Sequence, residues 1–170
     1  MDLTTAQSCN VEIYVENLYR GNLSTSWLKQ VREISWTEWL TVWLRLLSSE
    51  MDLAPDCELS LRLTGDEQIR ILNKQYRAID KATDVLAFAA TEAEIILPSE
   101  LEEPLYLGDI IISLDTAKRQ AQAQNHSLVT ELAWLSSHGL LHLLGWDHPD
   151  EESLEKMLAK QAELIKLLSI

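Results

Sequence analysis

The chain has 170 residues, of which 27 are acidic and 14 are basic, and its formal net charge is −13. This charge excludes a protein that coats nucleic acid by bulk electrostatics, although it leaves room for a local basic site. The length suits one domain with a sizeable core, and a hydrophobic fraction of 46% is typical of soluble globular proteins.

Several features of the chain predict a cytoplasmic protein. The two cysteines, Cys9 and Cys57, have no spacing that indicates a disulfide framework or a metal site. The N-terminus lacks the basic stretch and apolar run of a secretory leader. The richest apolar segment, 132–146, contains two histidines and is shorter than the roughly 20 residues of a membrane span. We therefore expect no membrane association.

In chain order, the small polar residues 1–10 predict a flexible arm, and a single domain is expected over 11–170. Alternation of apolar and polar residues predicts a strand over 11–15. Large apolar residues at three- and four-residue spacing predict a helix over 37–47. A second strand over 57–63 and a second helix over 65–76 follow.

The second half begins with two short apolar runs that predict buried strands over 85–89 and 107–113. An acidic connection over 91–103, rich in glutamate, is expected to be an exposed loop. Three further helices are predicted, over 114–124, 128–144 and 149–169. The chain is therefore expected to be an α+β domain of α/β-like character, with a single mixed sheet of about four strands flanked by about five helices.

Three of the four histidines fall within one short segment, at positions 138, 142 and 148. Residues four apart on a helix lie on one face, so His138 and His142 can share one cation. Gly145 can end the helix, because glycine tolerates a left-handed cap, and the chain can then bring His148 back to the same point. Three imidazoles with an open fourth position predict a catalytic zinc site, although nickel or another divalent metal also accepts such ligands.

The histidine spacing alone allows two chemistries. Metzincin proteases share it, but they place a glutamate general base directly after the first histidine, where this chain has Gly139. Peptide hydrolysis is thus the weaker hypothesis, whereas metal-assisted phosphodiester cleavage needs no such base. The fourth histidine, His126, lies in a polar turn and is expected at the surface.

Three segments resemble the YbeY family of bacterial endoribonucleases. The segment from His138 to His148 reads HGLLHLLGWDH and resembles the family signature HGxLHLxGYDH, with Trp146 in place of tyrosine. A second motif is LNKQYR, ending at Arg77, followed by DKATDVL, and a third is LGDI, beginning at Leu107. The chain departs from the family at Ala87 and Ala89, where serine and proline are usual, so a serine contact to substrate is expected to be absent.

The resemblance implies a sheet flanked by helices, one metal ion on His138, His142 and His148, and an arginine facing the metal. That arginine would be Arg77, with phosphate binding as its role. Arg77 and His138 are thus the expected catalytic residues.

The resemblance further implies a single-strand-specific, metal-dependent endoribonuclease in rRNA maturation and ribosome quality control. The expected partners are a single-stranded rRNA precursor and the ribosome or its proteins, with a GTPase as a further candidate. Two alternatives stay open: a metalloprotease-like hydrolase, and a ribosome assembly factor with a structural metal. Whether water or the RNA 2′-hydroxyl attacks is also open.

Four acidic residues are lesser candidates. Glu131 lies seven residues before His138 and is expected either to orient a metal ligand or to pair with a basic group. The alternative is that it is an acidic residue that interacts favourably with the helix dipole in the first turn of its helix. Asp147 is expected either to hydrogen-bond a ligating imidazole or to cap the following helix, and the structural role is favoured. Asp84 and Asp109 are expected to fix turns beside their strands.

Overall fold

The structure is a computed structural model that describes residues 10–51, 53, 56–90 and 104–170. The predicted flexible arm lies outside these ranges except for Asn10, which belongs to the first strand rather than to an arm. The acidic connection over 91–103 also lies outside them.

Four strands form one mixed sheet in the order β1-β2-β4-β3. β1, β2 and β4 run parallel, and the short β3 pairs antiparallel with β4 at the edge. All four strands were predicted from apolar runs or from alternation. Their bounds are β1 Asn10–Asn17, β2 Asp56–Thr64, β3 Val85–Ala89 and β4 Leu105–Ser113.

The described residues form six helices, one more than predicted. They are α1 Thr25–Arg32, α2 Trp36–Glu50, α3 Asp66–Arg77, α4 Leu114–Ala123, α5 Leu128–Leu143 and α6 Glu151–Lys166. The prediction missed α1, which has only eight residues, although Trp27, Leu28 and Val31 recur at three- and four-residue spacing. Its N-cap is Ser24, whose side chain accepts a hydrogen bond from the Trp27 backbone N–H.

The two faces of the sheet are covered unequally. Successive β4 residues point to opposite faces: Ile110 and Ile112 join the main core, and Ile111 joins a small second cluster. The main core contains the buried parts of α2, α4, α5 and α6. The face of the sheet that this core covers is the core side. On the other face, the α3 side, α3 contributes Ile69 to the small cluster.

Helix α5 is the element that brings functional residues to the sheet, and it packs against β3 and β4. Gly139 lies where α5 contacts β4, and a Cβ atom at this position would lie 2.8 Å from Ile110 Cγ2. The absence of a side chain at position 139 therefore lets the helix lie close to the strand.

Candidate metal centre

The two histidines of α5 stand side by side, as their spacing predicted. The Nε2 atoms of His138 and His142 are 3.0 Å apart, and their ring centroids are 4.5 Å apart. Both side chains are half-buried near the C-terminal end of the helix. The two imidazoles therefore present adjacent nitrogen atoms to one point.

The chain reverses after α5 and brings the third histidine back. Gly145 has a φ of 94°, and the Trp146 backbone N–H donates to the Leu141 carbonyl, as in a left-handed helix cap. The His148 ring centroid lies 5.4 Å from that of His138 and 5.4 Å from that of His142. The predicted turn at Gly145 is thus present.

The three rings have the donor set and the spacing that a divalent ion requires. Their ligand nitrogen atoms all lie within 4.8 Å of one another. Tetrahedral zinc with bonds of about 2.0–2.1 Å separates its ligand atoms by roughly 3.3 Å, so two nitrogens already lie near that distance and a small shift of the exposed His148 would complete the set. The residues present therefore fit a metal ion.

Electrostatics keeps the two α5 imidazoles in the form that binds metal. Burial lowers the pKa of His138 below its usual value, and the nearby His148 adds to this effect, although the hydrogen bond that His138 donates to Gln161 opposes it. Burial also lowers the pKa of His142, as does the adjacent His138. Both rings are therefore neutral near pH 7, with lone pairs available for coordination.

Gln161 of α6 orients His138, a role that sequence analysis missed. Its Nε2 donates to the Trp134 carbonyl at 3.0 Å, which turns its Oε1 toward Nδ1 of His138 at 3.2 Å. His138 Nδ1–H therefore donates to Gln161, and Nε2 keeps its lone pair toward His142. The sequence signal for this role is a glutamine among the buried residues of α6, between Met157 and Leu164.

Glu131 does not serve the histidine cluster. Its carboxylate pairs with His126, with 2.5 Å between Oε2 and Nε2, and the residue is almost fully buried. The expectation of a basic-group partner for Glu131 is thus confirmed, and its role as an orienting residue for a ligand is wrong. The prediction that His126 lies at the surface is also wrong, because it is half-buried against this carboxylate.

Arg77 ends α3 and lines the same cleft as His138 and His142, a cavity of about 480 Å³. Its Nη2 donates to the carbonyl of Ala87 at 2.9 Å, and its Cζ lies 5.1 Å from the ring centroid of Phe88. The contact with β3 is made to backbone, so it does not need the serine that is usual at position 87. The structure thus brings the predicted arginine to the histidine cleft.

Asp84 fixes the turn before β3 as expected, whereas Asp109 lies within β4 and fixes no turn. Asp84 lines the cleft, but its Oδ1 accepts a hydrogen bond from the Val85 backbone N–H and its Oδ2 accepts one from Gln120. Asp109 accepts a hydrogen bond from the Tyr106 hydroxyl at 2.6 Å.

Asp147 has a local structural contact, but it does not cap α6, whose N-cap is Asp150. Its Oδ1 accepts a hydrogen bond from the His148 backbone N–H at 2.8 Å. This contact holds the chain at the point where the third histidine turns toward the other two.

The close packing of Gly139 bears on the protease alternative. A glutamate at this position is the general base of metzincins, but here a side chain would run into Ile110 of β4. A cluster of three histidines, beside a cleft that Arg77 also lines, instead defines a hydrolase site suited to a phosphate ester. No helix among the described residues is long and apolar enough to cross a membrane.

Comparison with known proteins agrees with this class. The family model for endoribonuclease YbeY matches residues 23–169. An endoribonuclease YbeY from Trichormus variabilis is 56% identical over 142 residues, covering 83% of this chain and 81% of the relative. One from Synechocystis is 45% identical over 168 residues, covering 97% and 94%. A solution structure from Thermotoga maritima is 22% identical, with a TM-score of 0.48 and coverage of 91% of this chain and 90% of that one.

The chain therefore belongs to the YbeY family of endoribonucleases. The predicted activity class is confirmed: the chain is a nuclease that cuts phosphodiester bonds of RNA, with a role in rRNA processing.

Proposed function

We propose that the chain is a metal-dependent endoribonuclease that cuts single-stranded rRNA precursors at the histidine cleft. In this proposal His138, His142 and His148 hold one zinc ion, and Arg77 binds the scissile phosphate. The observation that carries the proposal is that Arg77, from α3, and the two histidines of α5 line one cleft. A phosphate held at the arginine therefore lies beside the metal ligands.

The residues of the chain have distinct tasks in this reaction. Gln161 holds His138 so that its Nε2 faces the ion, and Gly145 allows His148 to complete the ligand set. The hydrogen bond from Arg77 to the Ala87 carbonyl orients the guanidinium, whose planar N–H groups match phosphate oxygens and stabilise charge that develops on them. A divalent ion at such a site supplies Lewis-acid polarisation of the phosphate and activation of a nucleophile.

Two nucleophiles fit the proposal and give different products. Attack by water gives a linear phosphate end, whereas attack by the adjacent 2′-hydroxyl gives a cyclic phosphate first. Mass spectrometry of the 3′ ends formed from a short single-stranded RNA separates the two.

The proposed substrate and partners follow from the acidic surface as well as from the family. A chain of charge −13 holds naked RNA weakly by charge alone, so a protein surface that presents the RNA would assist it. The ribosome or its proteins, with a GTPase as a further candidate, are the proposed partners, and the cytoplasm is the proposed compartment.

A second candidate, an assembly factor with a structural metal, has one observation in its favour. Gln161 links His138 of α5 to α6, so an ion on His138 would also stabilise helix packing. This candidate predicts that removing the metal lowers thermal stability, whereas replacing Arg77 leaves biological function intact. The endoribonuclease proposal predicts that the Arg77 variant loses function while keeping its metal.

The test combines metal analysis of the purified protein with cleavage of single-stranded RNA. We expect about one zinc per chain in the wild type and in Arg77→Ala, and a loss of metal in His142→Ala. Arg77→Ala should lower kcat by about 10²–10³-fold, since it removes a donor to the developing charge. Arg70→Ala is the matched control, because Arg70 is an exposed arginine of the same helix paired with Asp80. Wild-type activity in both Arg77→Ala and His142→Ala would refute the proposal.

A further inference from the structure

A second cavity, of about 520 Å³, lies on the α3 side of the sheet and adjoins the histidine cleft. Its walls come from α3 and from all four strands, and Tyr14 lies at its β1 end. Arg77 and Ala89 line both cavities, so the two are continuous at the arginine. This second cavity is called the sheet groove below. A strand whose phosphate lies at Arg77 can extend into it.

The residue before Arg77 places an exposed aromatic ring at this junction. Tyr76 lines the sheet groove and is 59% exposed, although aromatic rings are usually buried. Its ring centroid lies 5.2 Å from that of Phe88, at an interplanar angle of 60°. The Phe88 ring also lies under the Arg77 guanidinium. Phe88 therefore packs against both the tyrosine and the arginine.

The charges of the sheet groove do not favour binding through the phosphate backbone. Among the described residues that line it, Arg62 pairs with Glu16, with 3.5 Å between Nε and Oε2, and the remaining charges, those of Arg77 and Asp109, are opposite in sign. Charge in the groove is therefore largely balanced. A ligand held there needs another source of affinity, and an exposed aromatic ring supplies it to unpaired bases by stacking.

We propose that Tyr76 is a base-stacking platform for the nucleotide next to the phosphate bound by Arg77. The proposal rests on the proposed function and adds a residue that sets its strand specificity. Bases of a single strand are free to stack on a protein ring, whereas bases of a duplex stack on each other. Tyr76 thereby selects single-stranded RNA, and does so with little sequence preference, because every base has a flat face.

The test measures binding of a ten-nucleotide 2′-O-methyl RNA to the zinc-loaded protein, with the probe checked for integrity afterwards. Tyr76→Ala should weaken binding about 5- to 150-fold, the range found when one stacking aromatic is removed. Tyr76→Phe should bind like the wild type, because it keeps the ring. Ile71→Ala is the matched control, since Ile71 is 49% exposed on the same helix.

Abasic probes distinguish stacking from a change in groove shape. Each probe lacks one base, at a different position in each probe. At one position, we expect the missing base to weaken binding to the wild type without weakening binding to Tyr76→Ala any further. Wild-type affinity in Tyr76→Ala would overturn the proposal, as would equal sensitivity of both proteins at every position. The latter result would indicate that Tyr76 supports the shape of the groove and does not stack on a base.

The outcomes also separate this proposal from the proposed function. If the wild type cleaves RNA and Arg77→Ala does not, while Tyr76→Ala binds and cleaves like the wild type, only the stacking role fails. If the wild type neither binds nor cleaves single-stranded RNA, both fail.

Discussion

The core side and the α3 side of the sheet differ in how they are covered and in what they carry. The core side carries the histidine helix α5, whose neighbours α4 and α6 contribute fully buried residues. The α3 side has a small cluster around Ile69 and an open groove beside it. Metal ligands need fixed geometry, and two of the three proposed ligands lie on α5, on the densely packed side. The proposed RNA contacts lie on the open side, where a long, flexible strand has access.

The largest expected effect is on the core side. Trp43 is fully buried, and its indole N–H donates to the Leu164 carbonyl at 2.8 Å. Trp43→Ala should lower the free energy of unfolding by about 3–5 kcal/mol, because it leaves a large cavity and removes the hydrogen bond of the indole N–H. Urea denaturation measures the change. The control is Trp27→Ala, because Trp27 is half-buried, and it should lower the free energy of unfolding much less. Equal decreases in the two variants would contradict the contrast in packing.

The next prediction concerns the link between the core side and the metal. Gln161 is 3% exposed and accepts the hydrogen bond from His138. Gln161→Leu should lower zinc affinity about 10–100-fold, as found when residues that orient ligands are removed. Competition with a chromogenic chelator measures it. Gln161→Glu keeps an acceptor oxygen and should retain more affinity than Gln161→Leu; the reverse order would show that the carbonyl does not orient the ring.

A smaller, pH-dependent effect is expected at the start of α3. Burial alone would raise the pKa of Asp66, but hydrogen bonds from Thr116, Ser113 and Arg119 outweigh it and lower the pKa below its usual value. A carboxylate with a lowered pKa stabilises the fold above its unfolded pKa of about 3.9, and this stabilisation is lost as the pH falls through the folded value. Asp66→Asn should therefore lower the free energy of unfolding by about 1 kcal/mol at pH 7.

Thermal melts of the wild type and of Asp66→Asn between pH 7 and pH 2 check this sign. The difference in stability should be constant down to about pH 4 and should shrink below it. A difference that grows on acidification would mean that the carboxyl is stabilised in its protonated form.

The smallest expected effect is at the end of α3. Ala78 caps the helix with a φ of 60°, a conformation that favours glycine. Ala78→Gly should therefore raise the free energy of unfolding by up to about 1 kcal/mol, without a change in metal affinity. Denaturant titration and chelator competition together check this. A lower stability would show that the entropy of glycine in the unfolded chain outweighs the relief of strain.

Regular patterns in the sequence were sufficient for the sheet and for the histidine cluster. The strands alternate or form apolar runs, and His138 and His142 have the four-residue spacing of one helix face. Contacts between distant segments were not predictable from such periodicity. The hydrogen bond from His138 to Gln161 joins two helices, and the direction of the Glu131 side chain depends on the position of His126 after the turn.

Helix α1 was missed for a different reason. It has only eight residues, and although Trp27, Leu28 and Val31 recur at three- and four-residue spacing, two turns are too few for the pattern to stand out in the sequence. A serine cap such as Ser24 is a further signal of a helix start.

The bond from His138 to Gln161 has a consequence for the timing of activity during protein synthesis. The two residues are 23 positions apart, so at about 5–20 residues per second the carboxamide is made roughly one to five seconds after the histidine. A nascent chain that ends before α6 has the imidazoles of α5 without the group that orients one of them. On the proposed function, the site is therefore complete only after α6 has been made and has packed against α5.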